Sequence, residues 1–349
     1  MIPLTHHRRK NAPLRIGYVP MTDCAPLVVA QEMGYFEKQG LDVELSREPG
    51  WATIREKIYH GELDAAQAPA SMVMELSFGY TGMITRCLTA FVTAHNGNAI
   101  TLSNELWEMG VRDGESLARV IKENPSRRFT FAGVLKYSSQ NYLIRHWLLS
   151  HGIVPEKDVD IVIVPPPQVH DCLKSNYIDG YCVAEPWSSL GLLDHIGWCT
   201  TLSSDFSPMH PEKVFMVTET FHEENPDRHL ALLRALWDAA AYCDAPENRQ
   251  ELSQLLAKSR FVDVPIEALS NALVGPFDMG MGNRTSADEA IVFHRHEANR
   301  PTLQKAAWVM NEIALHKIQP DLPKPSRSEI LSCFREDIYE DLLTSLSRN

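Results

Sequence analysis

The sequence predicts an α/β protein built from two lobes, and two observations lead to this fold class. The chain has 349 residues, more than one hydrophobic core usually supports, so two domains or a divided domain are expected. Short apolar strand patterns alternate with helical patterns, as a parallel sheet with covering helices requires. This alternation runs through two similar halves and gives way to mainly helical patterns after about residue 205.

The strand and helix patterns are clearest near the N-terminus. Residues 14–19 form a short apolar strand that ends at Pro20, and residues 25–34 have helical spacing that a glycine ends. An alternating strand at 41–45 precedes a helix at about 52–60. Further strands are predicted at 63–66, 91–94, 129–132, 159–164 and 178–183, and long helices at 222–244 and 287–317.

The C-terminal segment 326–346 is predicted to be an amphipathic helix after the proline-rich stretch 320–325. Its apolar residues recur every four positions and form one helix face. They are Ile330, Phe334, Ile338 and Leu342. This face either packs on its own lobe, which we favour, or docks a partner or a second copy.

Charge, cysteines and hydropathy exclude several classes of protein. A formal net charge of -12 opposes direct binding of nucleic acid, which depends on clustered Lys and Arg. The seven cysteines are scattered without CxxC spacing, a pattern typical of reduced thiols in a cytoplasmic protein. The N-terminal residues contain no apolar run long enough for a signal peptide, and no segment suits a membrane span. We therefore expect a cytoplasmic location without membrane insertion.

The sequence offers no positive support for catalysis. Ser138, Ser139 and Cys182 lack the motif context of nucleophiles. His294 and His296 are the best metal-like pair, but a helical setting would turn their rings to different faces. We expect a protein that is not an enzyme, with no catalytic residue, metal or cofactor.

Candidate binding residues follow the predicted strands. In an open α/β sheet, ligands lie outside the carboxyl ends of the strands. Ala184 and Glu185 come at such an end, before Pro186 at the predicted first turn of a helix. They are either cleft residues or parts of a structural turn.

Four further candidates lie in the first half of the chain. Trp51 could cover a planar anion, and Gln67 precedes a helix start at 69–72 whose N–H groups could face a ligand. His95 and Asn96 lie beside a glycine where the chain is expected to cross between lobes. Packing is the alternative for the first two, and a hinge role for the last two.

Six segments together resemble the nitrate- and bicarbonate-binding proteins of ABC transporters. They are VPMTDCAP at 19–26, GWATIR at 50–55, GELDAA at 61–66, VPPP at 164–167, IDGYCVAEPW at 178–187 and HPEK at 210–213. The resemblance covers about residues 14–315. It implies a type II periplasmic-binding-protein fold with a ligand cleft between lobes, lobe one being 1–98 with 206–349 and lobe two 99–205.

Within that group the sequence most resembles the NasS-type cytoplasmic nitrate/nitrite sensors. The segments that carry this finer resemblance are LSRE at 45–48, NGNAIT at 96–101 and PENRQEL at 246–252. It implies a sensor that holds an RNA-binding antiterminator partner inactive until nitrate or nitrite arrives.

The resemblance also implies an anion site. The family's tryptophan falls on Trp51, its basic residue on Lys213 and its backbone donor on Ala184, where this chain has alanine instead of glycine. The family's histidine falls on Gln140, whose amide can donate a hydrogen bond but cannot become cationic near neutral pH. Lysine at 213 favours nitrate over the bicarbonate relatives, which have an acidic residue there; a surface lysine is the alternative.

Two other functions stay open from the sequence. One is an ABC-transporter binding protein for nitrate or a related small anion. The other is an enzyme on a fold of the same kind, for which no motif is present. Turnover assays would separate the enzyme from both binding proteins.

Overall fold

The computed structural model describes residues 12–316 and 325–347, which fall into two compact units. The first unit is drawn from the segments Met1–His95, Pro211–Asn248 and Val292–Asn349. The second consists of Asn96–His210 and Arg249–Ile291. Each unit contains its own main sheet with helices packed on it.

The strands of the described residues are short, and most are buried. In chain order they are β1 (Leu14–Tyr18), β2 (Val43–Arg47), β3 (Ala65–Pro69), β4 (Cys87–Asn96), β5 (Asn98–Ser103), β6 (Thr130–Gly133), β7 (Asp160–Ile163), β8 (Gly180–Ala184), β9 (Gly197–Leu202), β10 (Pro211–Thr218), β11 (Phe277–Gly280), β12 (Asn283–Thr285) and β13 (Ile291–Val292).

The helices range from single turns to five turns. They are α1 (Ala25–Glu32), α2 (Tyr35–Lys38), α3 (Trp51–Tyr59), α4 (Ala70–Ser77), α5 (Asn104–Glu108), α6 (Gly114–Glu123), α7 (Ser139–Ser150), α8 (Val169–Lys174), α9 (Trp187–Leu193), α10 (Ser203–Phe206), α11 (Glu219–Glu224), α12 (Pro226–Asp244), α13 (Arg249–Leu256), α14 (Ile266–Leu273), α15 (Leu303–Leu315), α16 (Arg327–Cys333) and α17 (Glu336–Leu346).

The sheet of the first unit has the strand order β13-β4-β10-β3-β1-β2. Strand β1 pairs in parallel with β2 and β3, so the carboxyl ends of these three strands lie at one edge. Strand β10 runs antiparallel between β3 and β4 and therefore begins at that same edge. Lys213 lies opposite Pro69 in this register, which places the lysine where ligands of α/β sheets usually bind.

The sheet of the second unit has the order β7-β6-β8-β5-β9. Strand β6 is parallel to β7 and β8, whereas β5 runs antiparallel to β8 and β9. Large side chains, among them Phe129, Phe131 and Trp147, form a hydrophobic core on this sheet. Asn98 at the start of β5 lies opposite Ala184 at the end of β8.

The unit boundaries differ from the predicted lobes 1–98 with 206–349 and 99–205. Residues 249–291 belong to the second unit, because α14 packs on α9 and β11 packs on β9. Phe277 and Ala272 are buried there together with Leu202 of β9. The sequence pattern shows that this segment is helical but does not show on which sheet its apolar face packs.

The predicted helix at 287–317 is wrong over its first half, since only α15 is helical there. The carboxylate of Asp244 accepts hydrogen bonds from three consecutive backbone N–H groups beginning at Phe293, and this holds the segment in a non-helical turn. His296 has a positive φ of 61° in the same segment. The helical setting assumed for His294 and His296 is therefore absent.

The C-terminal segment forms two helices, α16 and α17, instead of one helix over 326–346. The helix is interrupted between them, where the backbone N–H of Arg335 donates a hydrogen bond to the carbonyl of Thr89 on β4 at 2.8 Å. Phe334, Ile338 and Leu342 are buried in the first unit, whose helix α12 contacts α17. Most of the predicted apolar face thus packs on its own unit.

Across residues 12–316 and 325–347, no helix combines the length and the apolar character needed to cross a bilayer.

Candidate functional site

Lys213 is the most unusual cation of the first unit because its side chain is completely buried. Its Nζ atom lies 2.9 Å from Oδ2 of Asp23 and forms a second ion pair with Glu212. A buried ammonium requires such partners, since its desolvation is costly. The alternative of a surface lysine is wrong.

Asp23 lies in a turn of 3₁₀-helix, Thr22–Cys24, directly after β1. Its carboxylate is 1% exposed and accepts a hydrogen bond from Nε2 of Gln67 on β3. Burial raises the pKa of Asp23 above its ordinary value, the nearby Lys213 opposes this shift, and Glu212 reinforces it. Burial alone would lower the pKa of Lys213, but the two carboxylates more than offset that effect and raise it.

Trp51 covers the lysine from the first turn of α3. Its indole is 2% exposed, and Nζ of Lys213 lies 5.1 Å from the ring centroid, within the range of a cation–π contact. The indole Nε1–H has no hydrogen-bond partner within the described part of the chain. A buried indole N–H usually has an acceptor, so this donor is available to a ligand.

Two more buried polar atoms beside Asp23 lack partners among the described residues: the hydroxyl of Thr22 and Oε1 of Gln67. The hydroxyl can donate or accept, whereas the amide oxygen can only accept. Gln67 is thus tied to Asp23 by its amide nitrogen, and its predicted contact with a ligand stays a prediction. Helix α4 begins at Ala70, directly after β3, close to the predicted start at 69–72.

In the second unit, Gln140 is the second residue of α7 and is completely buried. Its Nε2 donates to Oδ1 of Asn98 at 2.8 Å. Asn98, the first residue of β5, pairs in register with Ala184, the last residue of β8. The predicted residues Gln140 and Ala184 therefore both lie next to Asn98. These groups are neutral amides and backbone, in contrast to the two carboxylates beside Lys213.

Glu185 follows Ala184 and is 2% exposed. Its Oε2 accepts a hydrogen bond from the backbone N–H of Ser189 at 3.1 Å, while Oε1 has no partner within the described chain. Burial raises the pKa of Glu185 to about 7, and the hydrogen bonds from Ser189 oppose the shift. This carboxyl group therefore titrates near neutral pH.

His95 and Asn96 both hold backbone groups of their own units. Nε2 of His95 lies 2.8 Å from the carbonyl oxygen of Ala298. The Asn96 amide donates to the carbonyl of Glu289 at 2.9 Å and accepts from the N–H of Met209 at 2.8 Å, and its backbone has a φ of 59°. These bonds support a structural role, and ligand contact by either residue stays a prediction.

Asp23, Glu212 and Thr22 were not among the predicted site residues. Asp23 and Thr22 lie within the segment VPMTDCAP, and Glu212 within HPEK, both of which carry the resemblance. The signal was therefore present, but nothing in the sequence shows that these segments converge on one lysine. The segments converge because β10 pairs antiparallel with β3, and this pairing is not evident from the sequence.

A protein-family model for the NMT1-like family matches residues 7–257, and the chain belongs to this family. Among its relatives, the nitrate import ATP-binding protein NrtC of Synechocystis sp. is 38% identical over 306 residues, 86% of this chain and 45% of that protein. The bicarbonate transport ATP-binding protein CmpC of the same organism is 36% identical and covers 89% of this chain and 47% of that protein. The chain thus spans about half the length of these relatives.

The nitrate/nitrite binding protein NrtA of Nostoc sp. is 27% identical over 310 residues, 85% of this chain and 69% of that protein. A crystal structure of the periplasmic nitrate-binding protein NrtA from Synechocystis PCC 6803 superposes with a TM-score of 0.91 at 26% identity, covering 97% of this chain and 89% of the other. The alkanesulfonate-binding protein SsuA from Xanthomonas axonopodis shares the fold, with a TM-score of 0.68 at 15% identity. The predicted periplasmic-binding-protein fold and the resemblance to nitrate-binding proteins are confirmed.

Proposed function

We propose that this chain is a solute-binding protein that binds nitrate or nitrite against Lys213 and Trp51. The observation that carries the proposal is a buried ammonium beneath an indole whose N–H has no partner within the described chain. The ammonium of Lys213 and the indole N–H of Trp51 are both hydrogen-bond donors, and two such donors suit a small planar oxyanion. Relatives whose names include nitrate or nitrite support the choice of anion.

Gln140 and Ala184 enter the proposal on the resemblance. The other predicted ligand-binding residues enter it on their positions in the sequence: Glu185 at a strand end, Gln67 before a helix start, and His95 and Asn96 beside the glycine of the expected crossing. Gln140 and Ala184 stand where the family has a histidine and a glycine, so the affinity or the preferred anion differs from that of the family. No catalytic step is assigned to any of these residues.

We further propose that the chain is a cytoplasmic sensor that regulates an antiterminator-type protein. The segments at 45–48, 96–101 and 246–252 support this role. Co-purification of the two proteins with and without nitrate tests it, and nitrate is expected to dissociate the complex. By thermodynamic reciprocity the partner must weaken nitrate binding by the same factor. A complex indifferent to nitrate and nitrite would contradict the sensor role.

The second candidate is a component of an anion importer. The names of the relatives favour it, since NrtC is named a nitrate import ATP-binding protein. An importer component requires association with a membrane transporter, which a sensor does not. Reconstitution with such a transporter, followed by nitrate uptake into vesicles, separates the two roles.

Calorimetry with nitrate, nitrite, bicarbonate and small organic acids tests the binding function itself. We expect nitrate or nitrite to bind most tightly. Trp51→Phe keeps an aromatic ring and removes the indole N–H, so it should weaken binding about 10-fold or more, as expected for a lost bond to a charged acceptor.

The matched control is Trp198→Phe. Trp198 of the second unit is equally buried and also has an indole N–H without a partner in the described chain, but it lies in a hydrophobic core. This variant should bind nitrate as the wild type does. Equal losses in both variants would place the anion elsewhere.

A further inference from the structure

The charges around Lys213 do not balance, which bears on how an anion can bind there. One ammonium faces two carboxylates, those of Asp23 and Glu212, and all three side chains are at most 1% exposed. With both carboxylates ionised, the cluster carries one net negative charge. Under the proposed function, on which this inference rests, nitrate adds a second one.

The resulting repulsion is large in a buried site. Two like charges about 4 Å apart repel by about 4 kcal/mol at the effective dielectric typical of protein sites. A single proton on either carboxylate removes one of these repulsions and leaves the ammonium with one carboxylate and one bound anion. An acidic side chain that holds a proton in this way also becomes a hydrogen-bond donor.

We propose that nitrate binds at Lys213 together with one proton, which Asp23 and Glu212 share, so that these two residues make anion affinity depend on pH. The pair acts through the charge of Lys213. The pair therefore sets how anion affinity changes with pH, and it favours an anion with a single charge.

The surroundings of Asp23 support this assignment. Burial raises the pKa of this carboxyl, and Glu212 raises it further. Gln67 donates to Oδ1 of Asp23, which leaves its amide oxygen as an additional acceptor in a site already rich in acceptors. A proton is the smallest addition that relieves this excess of acceptors.

Other titratable groups lie on the elements that neighbour this cluster. The thiol of Cys24 and the phenol of Tyr18 stay protonated because burial raises both pKa values. Arg55 of α3 and Glu75 of α4 form an ion pair at 2.8 Å. Further groups are Arg47, which lowers the pKa of Tyr18 and Cys24 from the end of β2, and two histidines that lie close to backbone carbonyls, His95 to that of Ala298 and His210 to that of Ser207. Glu48 is paired with Lys57 of α3.

The test is calorimetry with potassium nitrate at several pH values from 6 to 9.5, in pairs of buffers with different ionisation enthalpies. Once the pH exceeds the titration range of the free pair, we expect uptake of about one proton per nitrate and a tenfold loss of affinity per pH unit. Uptake is measured on the wild-type chain and needs no variant.

Two isosteric variants locate the proton. Asp23→Asn and Glu212→Gln should each abolish the uptake and flatten the pH dependence. The control is Glu48→Gln, because Glu48 is also buried but is paired with a single lysine, Lys57, at 2.8 Å. This control should keep both the uptake and the slope.

The possible outcomes distinguish a failure of this inference from a failure of the proposed function. Nitrate binding with no proton uptake across the whole pH range overturns the inference and leaves the proposed function standing. Uptake that persists in both carboxylate variants also overturns it. Absence of nitrate binding at every pH contradicts the proposed function itself.

Discussion

The surroundings of Lys213 in the first unit and of Gln140 in the second differ in charge. Lys213 holds two buried carboxylates by ion pairs, whereas Gln140 donates to the neutral amide of Asn98. Buried charges depend on one another far more strongly than buried amides do. Among the predicted binding residues, those of the first unit therefore include a buried cation with two carboxylates, whereas those of the second unit are neutral groups and the titratable Glu185.

The largest expected effect comes from removing the lysine. Lys213→Ala leaves Asp23 and Glu212 buried without their cation, so it should lower the free energy of unfolding by about 3–5 kcal/mol. Urea unfolding measures this loss. Replacing all three residues, by Lys213→Met, Asp23→Asn and Glu212→Gln, should restore most of the stability. A loss below about 1 kcal/mol for Lys213→Ala would contradict the mutual dependence of these charges.

The next effect concerns Glu185, whose pKa of about 7 lies above its ordinary value of 4.5. Between these pH values the folded chain binds more protons than the unfolded chain, so stability falls as the pH rises. Glu185→Gln removes this dependence. Relative to wild type, the variant should gain about 2–3 kcal/mol between pH 5 and pH 8, measured by urea unfolding.

A control for that prediction is Glu123→Gln, because Glu123 is exposed at the end of α6. Its stability should follow the wild type at both pH values. If the stability of Glu185→Gln also follows the wild type at both pH values, burial does not raise the pKa of the Glu185 carboxyl.

The smallest effect is expected from Gln140→His. An imidazole gains positive charge as the pH falls below its pKa, so the ratio of variant to wild-type nitrate affinity should rise about 3- to 10-fold from pH 8 to pH 6. Comparing ratios removes the pH dependence of the wild type. Gln140→Met is the control and should show no such rise. An equal affinity ratio at both pH values would show that residue 140 does not contact the anion.

Much of the fold was predictable because alternating strands and helices have simple periodicities. Strands β1, β2 and β3 and helix α3 lie close to their predicted positions. Strand β10 is not among the predicted strands, because the pattern predicts mainly helices after residue 205. It is buried on both faces, and the short apolar run of such a strand resembles that of a buried helix.

The site was predictable one residue at a time but not as a cluster. Trp51 and Lys213 follow from the resemblance, and the structure brings them together. Asp23 and Glu212 were not predicted, because pairing across β1, β3 and β10 depends on strand order and direction. A single sequence does not reveal that three distant segments bury their charges against one another.

The most direct test of nitrate binding at Lys213 and Trp51 is the tryptophan indole region of a ¹⁵N–¹H NMR spectrum, recorded while potassium nitrate is added. The chain has seven tryptophans, and Trp51→Phe and Trp198→Phe assign the two relevant indole signals. We expect a saturable shift of the Trp51 Nε1–H signal, because this donor gains an acceptor, and a Trp198 signal that stays in place. A Trp51 signal that does not move while calorimetry reports binding would contradict the account and place the anion away from Lys213.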